Sequence, residues 1–267
     1  MKKKLCRITA LLLAAVLSLG GCGQPGAGKK RTDSTQQTEE TKNKKEDQSK
    51  SDKNGPEIDG LTYESTMDLT YATEFDVYDY KDGYKLLDVH EDRQYLVVPE
   101  GKEAPEGLSE DIVVLQQPLD HIYMAATAIM SLLDAVDAID QVKFSGLNAS
   151  GWYVEDAKKA MESGDMIYAG KYSEPDYETL VNGECDLAVE STMILHTPKV
   201  QEMIEDLDIP VFVDYSSYES HPLGRTEWIK LYGAMLNKED AADSFFEKQA
   251  QVIEKLKGFE NTEKTAV

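Results

Sequence analysis

Between residues 111 and 213 short apolar runs alternate with segments of helical period, and this alternation leaves the chain few folds to choose from. The apolar runs are Asp111–Leu115, Gln141–Phe144, Met166–Tyr168, Cys185–Val189 and Ile209–Val213. Between them lie the helical segments Ile122–Val136, Tyr153–Glu162, Pro175–Asn182 and Pro198–Leu207. Strands that are apolar on both faces and separated by helices build a parallel sheet with helices on both sides. Pro175 and Pro198 suit first helical turns, with Ser173 and Thr197 as caps. Upstream, Phe75–Glu100 alternates apolar and polar positions and breaks at Lys81-Asp82-Gly83, which predicts a β-hairpin. Downstream, Pro222–Leu236 and Glu239–Leu256 are helical, and the second carries a stripe of Ala242, Phe245, Phe246, Gln249, Val252, Ile253 and Leu256 that needs a partner. The expected fold is therefore α/β: a Rossmann-like lobe with a parallel sheet flanked by helices, preceded by a β-hairpin and followed by a long helix.

The amino-terminal end is an address. Lys2, Lys3, Lys4 and Arg7 precede an apolar stretch, Ile8–Leu19, too short to span a bilayer. Leu19-Gly20-Gly21-Cys22 resembles the bacterial lipobox, so residues 1–22 form a lipoprotein signal peptide and Cys22 is the lipidated first mature residue. Residues 23–60 are almost devoid of apolar side chains and predict a disordered tether, with eight basic residues balanced by eight acidic ones. Residues 61–236 form the ligand-binding lobe. From 61 to 267 there are 16 Lys plus Arg against 42 Asp plus Glu, a formal charge of −26. Such a charge repels nucleic acid and anionic headgroups, so contact with the membrane is through the lipid anchor only. Cys6 leaves with the signal and Cys22 is acylated, which leaves Cys185 without an intrachain disulfide partner, as a small core residue.

In an open parallel sheet ligands collect at the loops that follow the strands' carboxyl ends. Those loops are predicted at residues 116–121, 147–153, 190–193 and 215–221, and they offer Gln116, Gln117, His121, Trp152, Tyr153, Ser191, Thr192, Ser217 and Tyr218, with Arg225 close behind. Amides, hydroxyls and aromatic faces suit an organic ligand held by stacking and hydrogen bonds. No Gly-x-Ser-x-Gly elbow, Walker loop, dinucleotide turn or His-Glu-x-x-His occurs, so neither catalysis nor a cofactor is expected. Of the histidines, His121 and His221 share the predicted edge, alongside Asp120 and Glu219; no metal site is assigned to them, although a bare metal-ion binding protein stays open as an alternative.

The run Ser216-Ser217-Tyr218-Glu219-Ser220-His221-Pro222-Leu223-Gly224-Arg225-Thr226-Glu227-Trp228, with Gly233 and Asn237-Lys238-Glu239 beyond it, is more specific. It resembles the substrate-binding proteins of iron-siderophore, haem and vitamin B12 ABC importers, over about residues 110–257. That resemblance implies two α/β lobes joined by a rigid backbone helix, with a ligand clamped between them. It implies, too, an extracytoplasmic protein, lipid-anchored at the outer face of the bacterial cytoplasmic membrane, delivering a metal-chelate or corrinoid ligand to ABC permease subunits. Residues 237–267 would begin the inter-lobe helix, the second lobe being absent. By the same resemblance Glu178, in Pro175-Asp176-Tyr177-Glu178-Thr179-Leu180-Val181, is the permease-docking residue. The family's Thr-Glu at the first core helix is replaced by Asp120-His121-Ile122-Tyr123-Met124-Ala125-Ala126-Thr127, so pocket chemistry does not transfer at that loop. A surface sensor or adaptor lobe without transport is the other open reading.

Overall fold

The computed structural model describes residues 55–90 and 92–256. The signal peptide, Cys22, most of the tether and residues 257–267 lie outside the described residues. Residues 55–60, read as the end of the tether, pack onto the lobe: Ile58 is buried among Tyr80, Leu86 and Leu96, and the Tyr80 hydroxyl donates to the Pro56 carbonyl.

Two sheets form the frame. The first comprises β1 (Tyr63–Thr66), β2 (Phe75–Tyr80), β3 (Lys85–Val89), β4 (Gln94–Val98) and β5 (Ile112–Gln116) in that spatial order. Its first four strands are antiparallel, and β5 joins β4 in parallel. The predicted hairpin break is where β2 turns into β3: Asp82 and Gly83 have φ of 64° and 86°, the left-handed pair that an Asp-Gly turn tolerates. Because side chains alternate across a strand, Val77, Leu87, Tyr95 and Val97 face the main core, while Tyr80, Leu86, Leu96 and Val98 face the smaller cluster around Ile58.

The second sheet is fully parallel. It holds β6 (Ile122–Met124), β7 (Val142–Ser145), β8 (Ile167–Tyr168), β11 (Leu187–Ser191) and β12 (Val211–Asp214), in the order β12-β11-β6-β7-β8. A small hairpin, β9 (Gly170–Lys171) with β10 (Glu174–Pro175), follows β8. The connecting helices are α1 (Met130–Ala135), α2 (Glu155–Ser163), α3 (Tyr177–Asn182) and α4 (Pro198–Glu205). From β6 the chain winds outward through β7 and β8, then returns to the other side of β6 as β11 and continues to β12. With right-handed crossovers this puts α1 and α2 on one face and α3 and α4 on the other, with the winding reversing between β6 and β11.

Three expectations are corrected. Ile122–Val136 is not one helix: Ile122, Tyr123 and Met124 pair on both sides as a central strand, and the helix begins only at Met130. The run at 111–115 does become a strand, but β5 pairs with β4 in the first sheet and not in the parallel one. The cap of α3 is Asp176, which accepts from the Thr179 amide, in place of Ser173.

α5 (Pro222–Leu236) is buried on nearly every side, with Trp228 and Leu231 fully shielded. Two buried carboxylates flank its first turns and bind the segment that leads into β2. Glu227 accepts from the amides of Thr70 (2.9 Å), Tyr71 (2.6 Å) and Ala72 (2.8 Å). Glu219 accepts from Thr73 (3.0 Å) and Glu74 (3.1 Å) and from the Trp228 indole at 3.0 Å. Gly224 is required here, since a Cβ would meet the Glu219 carboxylate at 2.9 Å and the Tyr71 carbonyl at 3.0 Å. After Asn237, whose φ of 56° ends the helix, α6 (Glu239–Leu256) folds back on α5. Gly233 lies against Ala242 and the Lys230 ammonium sits 5.0 Å over the Phe246 ring. The stripe is thus half covered: Ala242 and Phe246 are buried, while Val252, Ile253 and Leu256 are exposed.

Taking away a buried carboxylate would leave three amides without acceptors, a loss on the order of 3–5 kcal/mol. Glu227→Ala is expected to lower the urea unfolding free energy by about that amount, and Glu227→Gln, which keeps one acceptor oxygen, by less. An unchanged midpoint in Glu227→Ala would show that the clasp does not hold the fold.

Candidate functional site

The carboxyl edge of the parallel sheet gathers the loops 125–129, 146–154, 192–197 and 215–219, together with the end of β8. The winding reverses between β6 and β11, so the loops that follow them lead away to opposite faces of the sheet, Ala125 and Thr127 in one and Ser191 and Thr192 in the other. Ser191 ends β11, and its hydroxyl accepts from the Met193 amide, capping the short helical turn Thr192–His196. Next to it, β12 ends in Asp214. One Asp214 oxygen accepts from the Ser216 amide (3.2 Å) and hydroxyl (2.6 Å), the other from the Tyr232 hydroxyl (2.8 Å). Burial pushes the Asp214 carboxyl up from its ordinary value, and these bonds oppose the shift. They fix the start of the 215–219 loop. Its tip is held from outside by Arg225, whose guanidinium donates to the carbonyls of Ser217 (2.9 Å) and Glu219 (3.4 Å).

The side chains above this framework are exposed and apolar. Tyr153 is 97% exposed, Tyr218 is 60% exposed with its ring 5.5 Å from that of Tyr215, and Tyr168, Met193 and Leu195 also face solvent. Tyr168, Met193 and Leu195 are not among the residues singled out in the sequence; Tyr168 ends β8, and Met193 and Leu195 lie in the turn that follows β11, positions at the carboxyl ends of apolar strands that would have pointed to them. Trp152, by contrast, is only 6% exposed, and its indole donates to the Ser145 hydroxyl at 2.9 Å. That hydroxyl also bonds both the amide and the carbonyl of Leu147, so Trp152 props the loop from beneath.

Of the residues predicted from sequence, Trp152, Tyr153, Ser191, Thr192, Ser217, Tyr218 and Arg225 belong to this edge. Gln116, Gln117 and His121 do not, because β5 joined the other sheet. Gln116 donates to the carbonyls of Val98 and Pro99, and Gln117 is buried with its amide on the Met235 carbonyl at 2.9 Å. His121 directly precedes β6, at the opposite, amino edge. His221 caps α5 through Nδ1 and stacks on Tyr71, so the two histidines share no edge. Glu178 is exposed in the first turn of α3.

Glu190, the first residue of the predicted loop 190–193, lies instead within β11, fully buried, with neither carboxylate oxygen hydrogen-bonded. Desolvation pushes its pKa up from 4.5 to about 9. The folded lobe therefore keeps this proton through neutral pH, whereas the unfolded chain releases it near its ordinary value.

With the geometry in place, the class it defines is a doubly wound α/β lobe with an exposed aromatic edge at its switch point. No family model matches the chain. It is similar to two proteins of Methanocaldococcus jannaschii. The uncharacterized lipoprotein MJ0878 is 28% identical over 155 residues, which cover 54% of this chain and 36% of that protein. The uncharacterized lipoprotein MJ0872 is 24% identical over 261 residues, 95% of this chain and 62% of that protein. Among solved structures, the periplasmic haem-binding protein HutB of Vibrio cholerae is 20% identical with a TM-score of 0.43, over 53% of this chain and 51% of that one. The chain thus matches less than two thirds of the length of each of these proteins.

A proton retained only by the folded state costs stability as pH rises above 4.5, up to about pH 9. Replacement by glutamine removes that dependence. Between pH 5 and 8 the unfolding free energy of Glu190→Gln is expected to gain on that of the wild type by up to about 1.4 kcal/mol per pH unit. Parallel stability curves from urea titrations would contradict the buried, protonated carboxyl.

Proposed function

We propose that this chain is the solute-binding component of an ABC-type importer, holding an iron-siderophore, haem or corrinoid complex at the carboxyl edge of its parallel sheet and presenting it to permease subunits. The observation that carries the reading is the row of exposed aromatic and apolar side chains, Tyr153, Tyr168, Met193 and Tyr218, along the carboxyl edge of the parallel sheet. In a water-soluble lobe such side chains are costly to expose unless they meet a partner. Tyrosine faces stack on planar or aromatic ligand surfaces, the hydroxyls of Ser191, Thr192 and Ser217 supply hydrogen bonds, and Arg225 offers charge to a ligand carboxylate. Trp152 serves by positioning its loop. The function is binding without catalysis.

Lipidation at Cys22 would tether the lobe to the outer face of the membrane, and the naming of both archaeal relatives as lipoproteins supports an anchor. Glu178, exposed on α3, is the carboxylate proposed to meet a basic permease surface. One exposed ion pair is worth under about 1 kcal/mol, so docking draws also on the lobe's overall negative charge, which speeds the encounter.

The test is a titration of the purified chain with haemin, a ferric siderophore and cobalamin, followed by tryptophan fluorescence. Saturable quenching by one of them is expected, weakened about tenfold or more in Tyr153→Ala/Tyr218→Ala. Glu178→Arg is expected to keep that affinity while losing uptake in cells. Quenching by none, or equal affinity in the tyrosine double variant, would overturn the assignment.

A further inference from the structure

A second cluster lies at the other edge of the parallel sheet and takes no part in the proposed ligand site. Asp120 and His121 form the turn entering β6, and Asp186 stands immediately before β11. Among the described residues these are the only three His, Cys, Asp or Glu side chains whose ligand atoms gather this closely, all within 4.8 Å of one another. The arrangement is held from within. Asp186 Oδ2 accepts from the amides of Asp120 (2.8 Å) and His121 (2.9 Å), which locks the turn to the start of β11, and His121 Nδ1 lies 2.8 Å from Asp120 Oδ1.

Hydrogen bonding inside the cluster does not account for all of it. Asp186 Oδ1 is shielded from solvent and has no hydrogen-bond partner. A buried carboxylate oxygen without a donor is costly, and a cation is one of the few groups able to compensate it. The geometry points to a divalent metal site, Asp120–His121–Asp186, at the amino ends of the two central strands. One imidazole and two carboxylates form a mixed nitrogen and oxygen set that suits Zn²⁺ or a neighbouring transition ion, with water completing the shell. Coordination would draw these atoms in to about 2.0–2.2 Å from the ion. Asp120 is exposed and His121 and Asp186 are half-buried, so an ion can enter from solvent. The strongly negative lobe raises the local concentration of cations. A bound ion would cross-link β6 and β11, whose opposite ends lead into the rim loops. This site rests on its own residues and not on the reading of the rim.

Isothermal titration of the purified chain with Zn²⁺, together with its thermal melt, tests the site. One saturable site is expected, with a rise in melting temperature. Both are expected to be lost in His121→Ala, with affinity down by roughly tenfold or more, while circular dichroism stays that of the wild type. Asp186→Asn, which keeps an acceptor for the two amides, is expected to lose binding as well, and His196→Ala to retain it. With Cu²⁺ as the probe, paramagnetic resonance should show coupling to one imidazole nitrogen that disappears in His121→Ala. Absence of Zn²⁺ binding, or binding unchanged in His121→Ala, overturns the proposal.

Discussion

Two buried carboxylates, Glu219 and Glu227, hold the molecule together. Between them they accept every backbone amide from Thr70 to Glu74, and Glu219 also takes the Trp228 indole proton. Each comes from a different place: Glu219 from the loop after β12, Glu227 from the interior of α5. The segment they bind feeds β2 of the antiparallel sheet. Carboxyl groups are tolerated in a core only when their oxygens find donors, and here five amides and an indole supply them. The clasp therefore sets where the first sheet stands against the helix, and it anchors the loop that carries Tyr218.

The same division between hidden framework and exposed contact recurs along the rim. Asp214 ties Ser216 to Tyr232, Ser145 ties Trp152 to Leu147, and Ser191 caps its own turn. Polar groups beneath the surface are spent on shaping loops, and the tyrosines and Met193 are left on top. A ligand surface built this way would be preorganised, because these loops make their hydrogen bonds within the chain.

Much of the fold was legible because local chemistry and global topology agree. Asp82-Gly83 supplied the left-handed turn, Pro222 and Asn237 bounded α5, and Glu239–Leu256 emerged as the helix that its spacing predicts. Ile122–Val136 misled because a buried strand and a buried helix are equally apolar over a few residues. The assignment of β5 failed for a different reason: an apolar run shows that a strand is buried but not which neighbour it pairs with, and with β5 went Gln116, Gln117 and His121. Trp152 looked like a ligand platform because an aromatic residue in a loop says nothing of which way it points. Glu190 sits near the end of a strand buried on both faces, and its burial is a property of the helices that cover the sheet. The most specific stretch of sequence, Glu219 to Trp228, turned out to encode the clasp. The residues proposed to face a ligand lie in less distinctive loops.

The claim on which this account rests is that the loops at the carboxyl edge of the parallel sheet form one ligand-contacting surface. Amide hydrogen exchange with and without a saturating metal-chelate ligand measures that directly. Added protection confined to residues 125–128, 146–153, 191–195 and 215–218 is the predicted result. Protection centred on the antiparallel sheet or on the exposed face of α6, with those four loops unaffected, would contradict it.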